Sequence, residues 1–131
     1  MKIAIWTDHH GYELGQEIIK ILEKMNISYI YAGARNSEDK ESNSLYVEYA
    51  TQDVLDEKIL AIIISGNWIG INMQANKVEG IRASLCSNFN QVRWGREDEN
   101  MNVLCIASWE EEYLETSKLV KTFIETEYKR S

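Results

Sequence analysis

The chain contains no proline, so its turns rest on the chemistry of Gly, Asn, Ser and Asp rather than on a ring-fixed φ. Cysteine and histidine are scarce, at two each in 131 residues. Cys86 and Cys105 lie in the short apolar runs "SLCS" and "VLCIA", which suit buried thiols on neighbouring strands better than a disulfide or a metal site. The histidines are the adjacent pair His9 and His10. Neighbours on an extended chain point opposite ways, so a zinc site on this pair is not expected and no metal is assigned. Basic residues are in deficit, 14 against 21 acidic for a net charge of −7, which argues against non-specific binding to nucleic acid or anionic lipid. No apolar run approaches the roughly 20 residues that span a bilayer. The N-terminal stretch runs into Asp8, His9 and His10 without a signal-peptide apolar region, so a cytoplasmic protein with no membrane partner is expected.

What remains is ordinary for a water-soluble domain: 44% hydrophobic and 27% charged residues. The length predicts one domain over residues 1–131. "KIAIWT" (Lys2 to Thr7) reads as a strand, followed by a His-His-Gly turn and a helix with Leu14, Ile18, Ile21, Leu22 and Met25 at helical spacing. "ISYIYAG" (Ile27 to Gly33) is a second strand, and Arg35 to Ser44 a loop. A helix over Tyr46 to Glu57 is expected to turn Tyr49, Ala50, Val54 and Leu55 inward.

"ILAIIIS" is continuously apolar, the pattern of a strand covered on both faces. After a third helix, "GIRASLCS" is a fourth strand, and Asn88 with Gln91 forms a capping box for a fourth helix. "NVLCIAS" is the fifth strand. Ser108 and Glu111 give a second capping-box pattern, opening a last helix whose acidic start and basic end complement its dipole. Strict strand–helix alternation predicts an α/β fold with a five-stranded parallel sheet and helices on both faces.

Ligands of such sheets bind beyond the carboxyl ends of the strands. The first strand delivers Asp8, His9, His10 and Gly11 there, the third Ser65, Gly66, Asn67 and Trp68, and the fourth ends near Ser87 and Asn88. Backbone N–H groups of residues 66 to 70 would favour an anion or an enediolate. Alone, Gly66 and Gly70 read better as parts of a tight turn with Asn67 as an N-cap, and His9 and His10 read equally well as satisfied structural histidines. Lys77, Arg82, Arg93 and Arg96 are the basic candidates.

Together, "KIAIWTDHHGYELGQEI", "IIISGNWIGINMQANKVEGIRASLC" and "REDENMNVL" resemble the family of type B ribose-5-phosphate isomerases and galactose-6-phosphate isomerases. The resemblance spans nearly the whole chain. It implies a Rossmann-like α/β/α domain, a homodimer or tetramer with active sites shared between subunits, and aldose–ketose isomerisation of a sugar phosphate without metal or organic cofactor. By position, it implies that Asp8 contacts sugar hydroxyls, His9 helps bind phosphate, Tyr46 lines the pocket, and Gly66 and Gly70 shape the anion hole. Arg82 and Arg96 also match family positions, and they are taken with these as substrate-binding candidates.

The departures fall on the same site. Ser65 stands where the ribose enzymes usually carry a catalytic Cys, Asn67 where they carry Thr, and Trp68 in place of a Gly. Asp98 replaces the His that helps open the sugar ring, and "YKRS" replaces an Arg-bearing tail, with Lys129 and Arg130 as partial substitutes. An alkyl hydroxyl cannot act as a base unless another group takes its proton. The expected reading is therefore an isomerase of a pentose or hexose phosphate, or a related sugar, with an altered site. Ser65 and Asp98 are its catalytic candidates, with Glu99 or Asp8 as alternative bases, and Asn67 and Trp68 line the pocket. The competing reading is a weak or inactive sugar-phosphate-binding subunit that completes a two-component isomerase.

Overall fold

The computed structural model of the chain describes residues 1–40, 45–66 and 69–129, with Leu45 and Tyr46 as backbone only. Its strands are β1 (Lys2–Thr7), β2 (Ser28–Gly33), β3 (Leu60–Ser65), β4 (Ala83–Leu85) and β5 (Val103–Ala107), and its α-helices are α1 (Tyr12–Lys24), α2 (Leu45–Glu57), α3 (Ile69–Asn76), α4 (Phe89–Glu99) and α5 (Thr116–Glu125). The strands pair in parallel in the order β2-β1-β3-β5-β4. This is the three-layer α/β fold that the strand–helix alternation predicts.

Because side chains alternate along a strand, each central strand supplies both layers of core. Ile3, Ile5, Ile62, Ile64, Leu104 and Ile106 face one side, where they pack against Leu14, Ile18 and Leu22 of α1 and Leu119, Val120 and Phe123 of α5. Ala4, Trp6, Ala61, Ile63, Val103 and Cys105 face the other, against Val47, Ala50 and Val54 of α2 and Ala75 of α3. Large aliphatics thus dominate one face, and the other accepts several alanines.

Four local expectations change. The inner face of α2 is Val47, Ala50, Thr51 and Val54, while Tyr49 is 56% and Leu55 37% exposed. The buried set follows the i, i+3, i+4, i+7 stripe of one helix face, and Tyr49 instead stacks on Trp6 from the flank at 5.8 Å. β4 is three residues rather than eight: Gly80 has φ +91°, and the Asn76 amide clasps Ala83 on both sides, Oδ1 accepting from its N–H and Nδ2 donating to its carbonyl, each at 2.8 Å. At α4, Asn88 Oδ1 does accept from Gln91 N–H at 3.0 Å, but Gln91 Oε1 accepts from Ser87 N–H, one residue before the expected partner. Finally, Ser108 opens no α-helix. Ser108–Tyr113 is a 3-10 turn without a side-chain cap, Leu114 is extended, and α5 begins only at Thr116. The Trp109 N–H is bonded to the Gly66 carbonyl at 3.3 Å, which ties this segment to the end of β3.

Cys86 and Cys105 are buried free thiols, on and beside the neighbouring strands β4 and β5 as expected. Burial pushes the Cys86 thiol up to about 11 and the Cys105 thiol to about 12. A thiol whose pKa is raised by folding adds stability that is complete below the unfolded value of about 8.5 and is lost as pH climbs towards the folded value. Native protein at pH 8 is expected to leave both thiols unlabelled by a thiol reagent, with two equivalents reacting in denaturant. Urea midpoints should fall as pH rises past about 9, as the unfolded chain's thiols ionise.

Candidate active site

The sheet changes winding direction between β1 and β3: α1 leads from β1 to β2 on one side, and the chain then returns to place β3 on the other. Loops diverge at such a point and leave a crevice at the carboxyl edge. β1 ends in Thr7 and β3 in Ser65, so the crevice receives Asp8 from one strand and Ser65 from the other.

These two side chains meet. Ser65 Oγ donates to Asp8 Oδ2 at 2.8 Å, and the other carboxylate oxygen, Oδ1, accepts from the Gly11 N–H, also at 2.8 Å. The Asp8 N–H donates to the Ile64 carbonyl at 3.3 Å, which carries the strand pairing one residue further. Gly11 is required by contact: a Cβ there would lie 2.5 Å from the Ile64 carbonyl oxygen. Asp8 is therefore held at both oxygens, and Ser65, 7% exposed, has a fixed acceptor for its proton. A hydroxyl aimed at a carboxylate can take a proton from substrate while handing its own to the carboxylate, which neither the hydroxyl alone nor a solvated carboxylate does as well.

His9 and His10 lie in a turn, not on an extended chain, and their rings approach to 3.9 Å. The His10 and Trp109 rings meet in a T-shaped arrangement at 5.2 Å. The indole covers Gly66, where a Cβ would be 2.7 Å from Trp109 Cε2. Trp109 is nonetheless 63% exposed. Nearby, the Ser108 hydroxyl is buried without a hydrogen-bond partner among the described residues. Gly70, in the first turn of α3, differs from Gly66, since a Cβ there would meet nothing within 4 Å. α3 starts at the carboxyl edge of β3 and directs its positive dipole end there.

Asp8, His9, Ser65, Gly66 and Gly70 are thus brought to one edge, and Asn67, Trp68 and the side chain of Tyr46 lie outside the described residues. Arg82, Arg96 and Asp98 are not brought there within the chain. Arg82 precedes β4 at the amino edge of the sheet, with Nε donating to the Asn100 carbonyl at 2.6 Å and Nη1 to the Gly80 carbonyl at 3.1 Å. Arg96 bonds the carbonyls of Thr126 and Met101 and lies over the Phe123 ring. Burial, and then the Arg82 charge, push its guanidinium below the ordinary value. Asp98 is an exposed residue in the last turn of α4, and Lys129 pairs with Glu97 at 3.4 Å. Sequence reasoning missed Trp109. The signal was its place just past the end of the fifth strand, at the same edge that drew attention to the first and third.

Comparison with known proteins gives the family. The family model described as Ribose/Galactose Isomerase matches residues 3–131. A putative sugar phosphate isomerase of Rickettsia conorii is 33% identical over 110 residues, 81% of this chain and 74% of that protein. Ribose-5-phosphate isomerase B of Mycobacterium tuberculosis is 30% identical over all of this chain and 82% of its own length. Among solved structures, the ribose-5-phosphate isomerase B of Clostridium thermocellum superposes with a TM-score of 0.87 at 31% identity, covering all of this chain and 88% of that one. That of Mycoplasma genitalium with bound ribulose-5-phosphate gives 0.87 at 25% identity, over 99% and 87% of the two chains. With a match over nearly its full length, the chain belongs to the ribose/galactose isomerase family.

Proposed function

We propose that this isomerase interconverts the aldose and ketose forms of a pentose or hexose phosphate, or a related sugar, with Ser65 and Asp8 acting as a proton-relay pair. The observation that carries this reading is the 2.8 Å hydrogen bond from Ser65 Oγ to Asp8. Ser65 takes the proton from the carbon beside the carbonyl as its own proton passes to Asp8. The electron pair released from that C–H bond forms the enediolate, whose oxygens face backbone N–H groups at the start of α3. Ser65 then gives the proton to the neighbouring carbon while Asp8 hands back the hydroxyl proton, and the substrate's own hydroxyl proton passes from one enediolate oxygen to the other, which completes the exchange and leaves Ser65 and Asp8 as they began. No redox partner is needed, because the substrate carbon that is oxidised lies beside the one that is reduced.

Asp98 enters this scheme from a second copy of the chain. It sits at the opposite edge of its own sheet, so it reaches a carboxyl-edge site only across an interface, as does either Arg82 or Arg96. His9 is assigned to the phosphate, and the Gly66–Gly70 turn, with Asn67 and Trp68, to the enediolate.

The test is proton NMR in heavy water with ribose 5-phosphate, galactose 6-phosphate and the unphosphorylated sugars. Deuterium is expected at the carbon beside the carbonyl of at least one. Asp8→Asn and Asp98→Asn are each expected to abolish it. Mixing and re-associating the two inactive variants should restore about one quarter of the activity, since half of random dimers are mixed and each then holds one intact site. No exchange in any sugar would move the assignment to a binding or partner subunit. Full activity of Asp98→Asn would remove that residue from the site.

A further inference from the structure

We propose that Trp109 forms a stacking platform for the carbon skeleton of the sugar, and so selects substrate by its C–H face as well as by its polar groups. The inference rests on the isomerase reading above and names a recognition element within it.

Four observations converge on this side chain. Its backbone N–H is bonded to the Gly66 carbonyl, so its position is fixed relative to the end of β3. Its indole lies against Gly66 so closely that any side chain there would displace it. It meets the ring of His10 in a T-shaped arrangement at 5.2 Å. Despite these contacts, 63% of the residue remains exposed.

Gly66 follows Ser65 and His10 lies two residues past Asp8. The indole therefore touches both chain segments that carry the Ser65–Asp8 pair, at Gly66 and at His10, and the proposal seats the sugar on its exposed surface. An aromatic ring held in this way offers a large amphipathic surface at small conformational cost, which suits a ligand whose hydroxyls point to one side and whose C–H groups point to the other. Burial within its own chain does not account for this Trp, which is 63% exposed there. Gly66, read from the sequence as part of an anion hole, acquires a second role as the seat of the indole.

The experiment compares wild type, Trp109→Ala and Trp109→Phe, each first checked for native circular dichroism and thermal midpoint. Trp109→Ala is expected to raise KM about tenfold with kcat within about twofold, and Trp109→Phe to recover most of the loss. An unchanged KM in a folded Trp109→Ala protein, or a loss confined to kcat, overturns the proposal.

Saturation-transfer NMR on the same proteins, with ribose, galactose and their phosphates as probes, separates this inference from the isomerase reading because it requires no turnover. Transfer to sugar C–H protons that is present in wild type and absent in Trp109→Ala upholds the platform, even if no sugar exchanges deuterium and the isomerase reading fails. Deuterium exchange with transfer unaltered by Trp109→Ala upholds the isomerase and overturns the platform. No transfer to any probe in wild type overturns it as well.

Discussion

Asp8→Asn is expected to lower kcat by about 10³-fold, within the range typical of a lost general base. The substitution is close to isosteric, and an asparagine Oδ1 still accepts from the Gly11 N–H, so the turn that follows β1 has no reason to rearrange. What is lost is the capacity to receive the Ser65 proton, because an amide facing that hydroxyl is not a base. Steady-state isomerisation kinetics separate this role from the one the family resemblance implies for Asp8, contact with sugar hydroxyls. A fall confined to KM would reassign Asp8 to hydroxyl binding, and a change below about threefold in both constants would remove it from the site. Ser65→Ala should follow the same pattern, and the double variant should be little worse than the poorer single one, as groups acting as one unit behave.

Gly33→Ala is expected to carry the largest cost to stability, about 3 kcal/mol or more, from backbone strain together with overpacking. Gly33 has φ +119° and closes β2, and a Cβ there would fall 2.1 Å from the Thr7 carbonyl oxygen and 2.8 Å from the Thr7 nitrogen. These are backbone atoms of the central sheet and cannot step aside as a side-chain tip can. Thr7 adjoins Asp8, so the damage is also passed to the relay. A drop in thermal midpoint on the order of 10 °C is expected for a chain of this size. Gly70→Ala is the control. It has open space and an exposed helical position, and the change should stabilise by up to about 1 kcal/mol. Equal effects at the two glycines, measured by urea denaturation, would contradict this account.

The contrast shows what a sequence carries. Both residues are written as Gly, and only the backbone angle and the distance to Thr7 distinguish them. The sheet was legible because alternating and continuous apolar runs leave a periodic trace: "ILAIIIS" announced β3, and the Asn88 cap announced α4. The inner face of α2 was harder, since Tyr49 and Leu55 are as apolar as the residues that are buried. The segment from Ser108 misled because a capping pattern describes local preference, whereas the Trp109 N–H bond to Gly66 is set by a strand more than forty residues earlier in the chain.

The site divided along the same line. Asp8 and Ser65 could be placed at one edge from strand ends alone, but their direct bond depends on the turn at Gly11, which fixes where the carboxylate points. Asp98, Arg82 and Arg96 were grouped with them by family position, which does not record whether a residue serves its own subunit or its neighbour's. In this chain the two arginines spend donors on backbone carbonyls that close the amino edge.

The Asn76 clasp on Ala83 bears on how copies of this chain can meet. A parallel sheet ordinarily ends in a row of open amide and carbonyl groups, which invites a strand from another molecule. Here that outer border is three residues long, and its first residue already has an asparagine amide standing in for the absent strand. Growth into a continuous intermolecular sheet, the route to fibrils, is thereby discouraged on the β4 flank. Assembly on this side is left to surfaces formed by helices.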